Sequence, residues 1–188
     1  MITREEFHEY CKDKRIAILG NSRIILKEKL GDHIDSHQIV LRMNMGYPKP
    51  DLHSLIGRRT DIWSAAMADQ TKQRHFHGLF KDRKFTLWPW YDLSTMIAEI
   101  RENTYAFPPA FYKEILGECG SIPSSGCLIV NYFIRHIEYE ALTVAGFDFF
   151  KTPNFHRSEI VTAHHQPRKE EDFMVPVLKK SRGVSWIR

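Results

Sequence analysis

Three short polar segments combine residue types that could hold an anion or a sugar hydroxyl. Gly20-Asn21-Ser22 follows the apolar run Ile16-Ala17-Ile18-Leu19. Glycine permits a tight turn there, and the amide and hydroxyl side chains can hydrogen-bond a ribose, a base or a phosphate. Asn44 closes a second apolar run in the same way, after Arg42 and Met43. Pro123-Ser124-Ser125-Gly126 leads into a third apolar stretch and offers hydroxyls and N–H groups as a nest for phosphate or ribose. Each segment also has a plain structural reading: Asn21, Ser22 and Ser124 as helix caps, Asn44 as a turn residue before Gly46-Tyr47-Pro48. Two asparagines closing neighbouring strands are more informative than either alone.

Other chemistry-bearing residues carry weaker signals. Ten histidines are present, and an imidazole with an ordinary pKa of about 6.5 suits proton transfer near neutrality. His33, His37, His53, His75, His77 and His136 fall in no pattern that marks them as catalytic, so most are expected at the surface. Glu170-Glu171-Asp172 is expected to be a solvated first turn favoured by the helix dipole. No Asp-x-Asp motif occurs, and no residue is assigned to a metal. Trp88-Pro89-Trp90-Tyr91 could stack on a sugar or base, or pack a strand end onto the core.

These residues need a scaffold, and the hydrophobic pattern supplies one. Thr3 and Glu6 form a capping box for a helix over 2–13. Strands are predicted at 16–19, 38–44, 60–64, 85–88 and 141–147, with helices over 22–30, 93–103, 108–119 and 124–137. Alternating strands and helices predict an α/β fold, a three-layer sandwich around a mostly parallel sheet. In such sheets ligands gather at the carboxyl ends of strands, where Gly20-Asn21-Ser22 and Asn44 fall.

With 188 residues, 43% of them hydrophobic and 27% charged, the chain is expected to form a single domain over 1–188. The net charge of +4 is spread along the sequence, which suits an anionic small molecule and gives no basic stripe for nucleic acid. Cys11, Cys119 and Cys127 form neither a disulfide framework nor a zinc pattern. With no apolar run long enough for a membrane span, a soluble chain in a reducing compartment is expected.

Ile16 to Trp63, through GNS, IDSHQIVLRMN and IGRRTD, resembles the large sialylmotif of the animal and plant sialyltransferase family. Gly120 to Phe147, from GSIPSSG to VAGF, resembles the small one, and 64–119 is unmatched. Gly146-Phe147-Asp148 is also similar to a segment of bacterial sialyltransferases of a second family. The resemblance implies a variant Rossmann-like glycosyltransferase fold that binds a CMP-activated acidic sugar, needs no metal and no other cofactor, and inverts the anomeric centre. Carried over by position, it implies that Asn21, Ser22 and Asn44 hold the CMP and that Ser124, Ser125 and Gly126 complete the nucleotide site. His165, followed by Glu170 in a His-x4-Glu pattern, would be the general base; His156 would hydrogen-bond the donor phosphate.

The chain departs from the animal enzymes where their two motifs are joined by a disulfide, since Ile16 stands at one matching position and no cysteine stands near Ile137. This fits a cytoplasmic enzyme, peripheral at the inner face of a membrane, with a glycan or lipid-linked glycan as acceptor. Sialic acid and Kdo-like sugars are both consistent with the motifs. The competing reading is a non-catalytic nucleotide-binding or interaction module on the same fold.

Overall fold

The computed structural model describes all residues except Tyr91, Val161, Ala163 and Arg188. The chain opens with α1 (Arg4–Cys11), capped by Thr3, whose hydroxyl accepts from the Glu6 N–H while the Glu6 carboxylate accepts from the Thr3 N–H. β1 (Arg15–Leu19) runs into a 3-10 helix over Arg23–Lys27 and then α2 (Gly31–Asp35). The continuous helix expected over 22–30 does not form: only Ile25 of the 3-10 segment is buried, too little apolar surface to support a longer helix. β2 (Ile39–Met43), α3 (His53–Ile56), β3 (Ile62–Ser64), α4 (Gln70–Leu79) and β4 (Phe85–Trp88) follow.

α5 (Ala98–Arg101) is shorter than the helix expected over 93–103, because the chain turns at once into β5 (Thr104–Ala106). There the Thr104 hydroxyl donates to the Ile100 carbonyl and its backbone joins the sheet beside Thr86. α6 (Pro109–Cys119), α7 (Ser125–His136), β6 (Ala141–Ala145), α8 (Pro167–Lys180) and β7 (Val184–Ile187) complete the fold. β6 stops at Ala145, short of the expected Phe147, as Gly146 turns out of the sheet at φ 77°.

Among the described residues seven strands lie in the order β5-β4-β3-β2-β1-β6-β7, and each strand pairing is parallel. Side chains alternate between the two faces of a strand, so both faces must be covered. Ile16, Ile18, Leu41, Ile62, Leu87 and Val144 pack with residues of α1, α6, α7 and α8. On the other face Ala17, Leu19, Val40 and Ala145 meet Ile25, Ile34 and Ile56, while Trp63 and Trp88 meet Phe80, Ile97 and Ile100. The result is the three-layer α/β sandwich expected, with the sheet wholly parallel.

Arg42 is the notable polar member of this interior, 1% exposed. Its guanidinium donates to the carbonyls of Ile56 and Arg59, at 2.7 and 2.9 Å, and so fixes the α3 to β3 connection. Burial pushes its pKa down to about 10, and Asp35 and Asp61 oppose that shift, so it stays charged at neutral pH. The three cysteines are free and buried.

Candidate active site

β1 is followed by β2 on one side of the sheet and joined by β6 on the other, so the order of strands reverses between β1 and β6. Ligands in open parallel sheets bind outside the carboxyl ends of strands at such a switch point. Two glycines make the crevice there. A Cβ on Gly20 would lie 2.2 Å from the Gly146 carbonyl oxygen, and one on Gly146 would lie 2.6 Å from that of Gly20. Only glycine lets the two turns touch in this way.

The crevice is a cavity of about 290 Å³ lined by Asn21, Ser22, Asn44, Ser124, Ser125, Gly126 and His165, among others. Seven of the eight site residues expected from the sequence therefore meet in one place, although the serines of α7 are more than a hundred positions from Asn21. His156 is the eighth and does not line the cavity. Its backbone N–H donates to the Asn154 side chain and its ring lies against Phe155. Burial lowers its pKa, with a smaller contribution from nearby Lys49.

The capping and ligand-binding readings turn out to be compatible. Ser22 caps the 3-10 helix, its hydroxyl oxygen accepting from the Ile24 N–H at 3.1 Å. The buried Asp148 carboxylate accepts from the Thr152 N–H and hydroxyl, so the Thr152 hydroxyl in turn accepts from Ser22 at 2.7 Å. Ser124 caps α7 by accepting from the Cys127 N–H and donates its own hydroxyl to Glu170. The Ser125 and Gly126 N–H groups, in the first turn of α7, bond to no protein acceptor among the described residues and open on the cavity. Phe147 lies over Gly126 so closely that a Cβ there would be 2.5 Å from its ring.

Asn44 has φ 50°, a left-handed conformation that asparagine tolerates better than most residues. Its side-chain oxygen accepts from the Ala66 N–H and its carbonyl from the Trp63 indole, which leaves the carboxamide N–H groups for a ligand. Asn21 donates to the Met43 carbonyl at 3.1 Å, tying the two asparagine turns together.

His165 is half-buried and His164 exposed, and of the two only His165 lines the cavity. Its Nδ1 lies 3.0 Å from the Ile122 carbonyl oxygen. A carbonyl can only accept, so Nδ1 donates, and in the neutral tautomer that this bond selects Nε2 is the nitrogen with the lone pair. Phe150 stacks on the ring at 5.6 Å and 23°. Glu170 is not the solvated carboxylate expected: it is 5% exposed and accepts from the Ser124 N–H and hydroxyl at 2.8 and 2.7 Å. That bond ties α8, and the histidine just before it, to the start of α7. Of its acidic neighbours, Glu171 pairs with Lys151.

Several cavity residues were not predicted from the sequence. Thr152, Asn154, Arg157, Glu159 and Ile160 come from the connection after β6, and Phe149 and Phe150 sit there with φ 56° and 60°. Gly146-Phe147-Asp148 and His156 were the legible signals in this stretch, and neither points to these residues. His37, expected at the surface, is buried, with Nε2 2.8 Å from the Thr143 hydroxyl. Trp88 is core, its indole donating to the Asp92 carbonyl, and half-buried Trp90 lines a second cavity with Met67, Asp92 and Thr95. Tyr91 lies outside the described residues.

A glycine-walled crevice with free N–H groups at a helix N-terminus and an imidazole on its wall can accept an anion and move a proton, and comparisons with known proteins narrow the class. The sequence model of glycosyltransferase family 29 (sialyltransferase) matches residues 4–98, half of the chain, and the chain belongs to that family. The match reaches into the stretch left unmatched by the motifs and ends before α7. Two solved structures share the fold. The crystal structure of a mammalian sialyltransferase in complex with Gal-beta-1-3GalNAc-ortho-nitrophenol aligns with a TM-score of 0.63 and 18% identity, over 93% of this chain and 69% of that one. A crystal structure of a mammalian sialyltransferase aligns with a TM-score of 0.62 and 19% identity over the same shares. No curated protein sequence matches the chain.

Proposed function

We propose that this glycosyltransferase moves an acidic 2-keto sugar, sialic acid or a Kdo-like relative, from a CMP donor to a hydroxyl of a glycan or lipid-linked glycan. Inversion, independence of metal and independence of any further cofactor are part of the proposal. The observation that carries it is the single cavity in which His165, held by its Nδ1 bond to the Ile122 carbonyl, meets Asn21, Asn44 and the first turn of α7.

In this mechanism Asn21 and Asn44 hold the cytidine and ribose, while the Ser125 and Gly126 N–H groups face the donor's anionic groups. The acceptor hydroxyl attacks the anomeric carbon from the face opposite the leaving CMP and gives its proton to His165. A single displacement inverts the centre. Trp90 and Asp92, two strands along the same sheet edge and about 10 Å from the end of β2, would receive the outer sugars of the acceptor. The three free cysteines accord with work in a reducing cytoplasm, at the inner face of a membrane. No helix among the described residues is long and apolar enough to cross one.

The test is CMP release and sugar transfer from CMP-sialic acid and CMP-Kdo, in EDTA, with His165→Ala as the comparison. CMP is expected from at least one donor despite EDTA, and His165→Ala should lose on the order of 10²–10⁴-fold in turnover while still binding CMP. No CMP binding and no release from either donor would sink the proposal. Tight CMP binding without turnover would favour the non-catalytic module.

A further inference from the structure

We infer that Arg157, one position beyond the histidine expected there, is the residue that receives the donor phosphate and the charge left on CMP when the glycosidic bond breaks. The inference rests on the CMP-sugar reading given above. Its starting point is the charge inside the cavity. Four charged side chains line it among the described residues: Asp148, Glu159, Glu170 and Arg157. Asp148 is occupied by Thr152 and Glu170 by Ser124, so both acids are turned onto their own scaffold. Arg157 is exposed and makes no ion pair among the described residues; its guanidinium reaches only the Met45 sulfur, at 3.8 Å. It is the sole cationic side chain of the cavity among the described residues, apart from whatever charge His165 takes up during turnover.

The backbone holds Arg157 beside the Asn21-Ser22 turn. Its carbonyl accepts from the Arg23 guanidinium at 2.7 Å and its N–H donates to the Asn154 carbonyl at 2.9 Å. Neighbouring bonds, from the Phe155 N–H to the Asn21 carbonyl and from the Arg23 N–H to the Pro153 carbonyl, clamp this segment onto the Asn21-Ser22 turn. The same segment leaves His156 off the cavity wall, its ring against Phe155. A single-residue offset thus exchanges an imidazole for a guanidinium.

The chemistry differs accordingly. When the acceptor oxygen bonds to the anomeric carbon, the electron pair of the C–O bond passes to the phosphate oxygen and CMP gains one negative charge. The acceptor proton goes to His165 Nε2 and then to water. A histidine on the phosphate acts best when protonated, so rate would fall as pH rises. A guanidinium keeps its charge throughout the working range and meets two phosphate oxygens with parallel N–H groups. With a guanidinium on the phosphate there is no imidazolium to lose at that contact, so it contributes no fall in rate at high pH.

The experiment measures affinity for CMP and for cytidine, together with the pH dependence of kcat/KM between pH 5.5 and 9, on the whole chain. Arg157→Ala should weaken CMP about 10²-fold or more and leave cytidine nearly unchanged, with a loss of about 10²–10³-fold in turnover. Arg157→His should restore part of that turnover and add a fall at high pH that the unaltered protein lacks. His156→Ala should cost less than a tenth of what Arg157→Ala costs. An unchanged ratio of CMP to cytidine affinity in Arg157→Ala would overturn the inference, as would a fall in rate at high pH in the unaltered protein. In both cases CMP binding itself would leave the glycosyltransferase reading standing; failure to bind CMP at all would remove that reading too.

Discussion

Single residues of this site do two jobs, and substitutions separate them. Asn44 holds a left-handed turn and accepts the Ala66 N–H while facing the cavity. Asn44→Ala should therefore lower stability by about 1–3 kcal/mol, read by urea denaturation, as well as abolish CMP binding. Asn44→Gly should recover part of the stability and none of the binding. Phe149 and Phe150 show the opposite division: their left-handed backbones are costly for such side chains, and they aim one ring at Trp186 and the other at His165. Phe150→Asn, which tolerates that backbone, should cost less than about 1 kcal/mol in unfolding yet reduce turnover on the order of tenfold, because the imidazole loses its stacking partner. Neither phenylalanine was legible in the sequence, since nothing in a Phe-Phe pair states its φ. The asparagines and serines were legible, because strand ends and helix starts limit what such residues can do.

At the scale of elements, the glycines distinguish turns that approach another backbone from those that do not. Gly20→Ala should destabilise the protein by about 2–4 kcal/mol, since its Cβ would meet the Gly146 backbone and separate β1 from β6. Gly117→Ala is the counterpart: it lies inside α6 with open space around it, and the change should stabilise by about 0.5–1 kcal/mol. Thermal unfolding of the two variants reads both signs. β1 to β4 and β6 were predictable, because a strand buried on both faces is written in continuous hydrophobic residues. β5 and β7 were not. β5 has three residues and β7 is only partly buried, so neither carries a pattern of its own, and their place is decided by the neighbouring strand. α5 was overestimated for a related reason: residues before it, Met96 and Ile97, are buried without being helical.

For the molecule as a whole, histidines set the response to acid. Burial holds His8, His37, His77, His136 and His156 below the ordinary value of 6.5. The unfolded chain then binds protons first, so this contribution to stability is complete above about pH 6.5 and lost as pH falls below it. The urea midpoint should decline from pH 7 toward pH 5, and His37→Gln should flatten the decline; an unchanged midpoint over that range would contradict the assignment. The parallel sheet has a further consequence, in time rather than in space. Ser22 and Thr152, which close one wall of the crevice, are 130 positions apart, and β1 waits for β6 across most of the chain. A nascent chain emerging from the ribosome can pair β1 with β2 early, but leaves the other edge of β1 bare until the late strand arrives. Capacity to bind a ligand in the crevice should thus appear only after β6 and the segment through Thr152 have been made, long after β1 and β2.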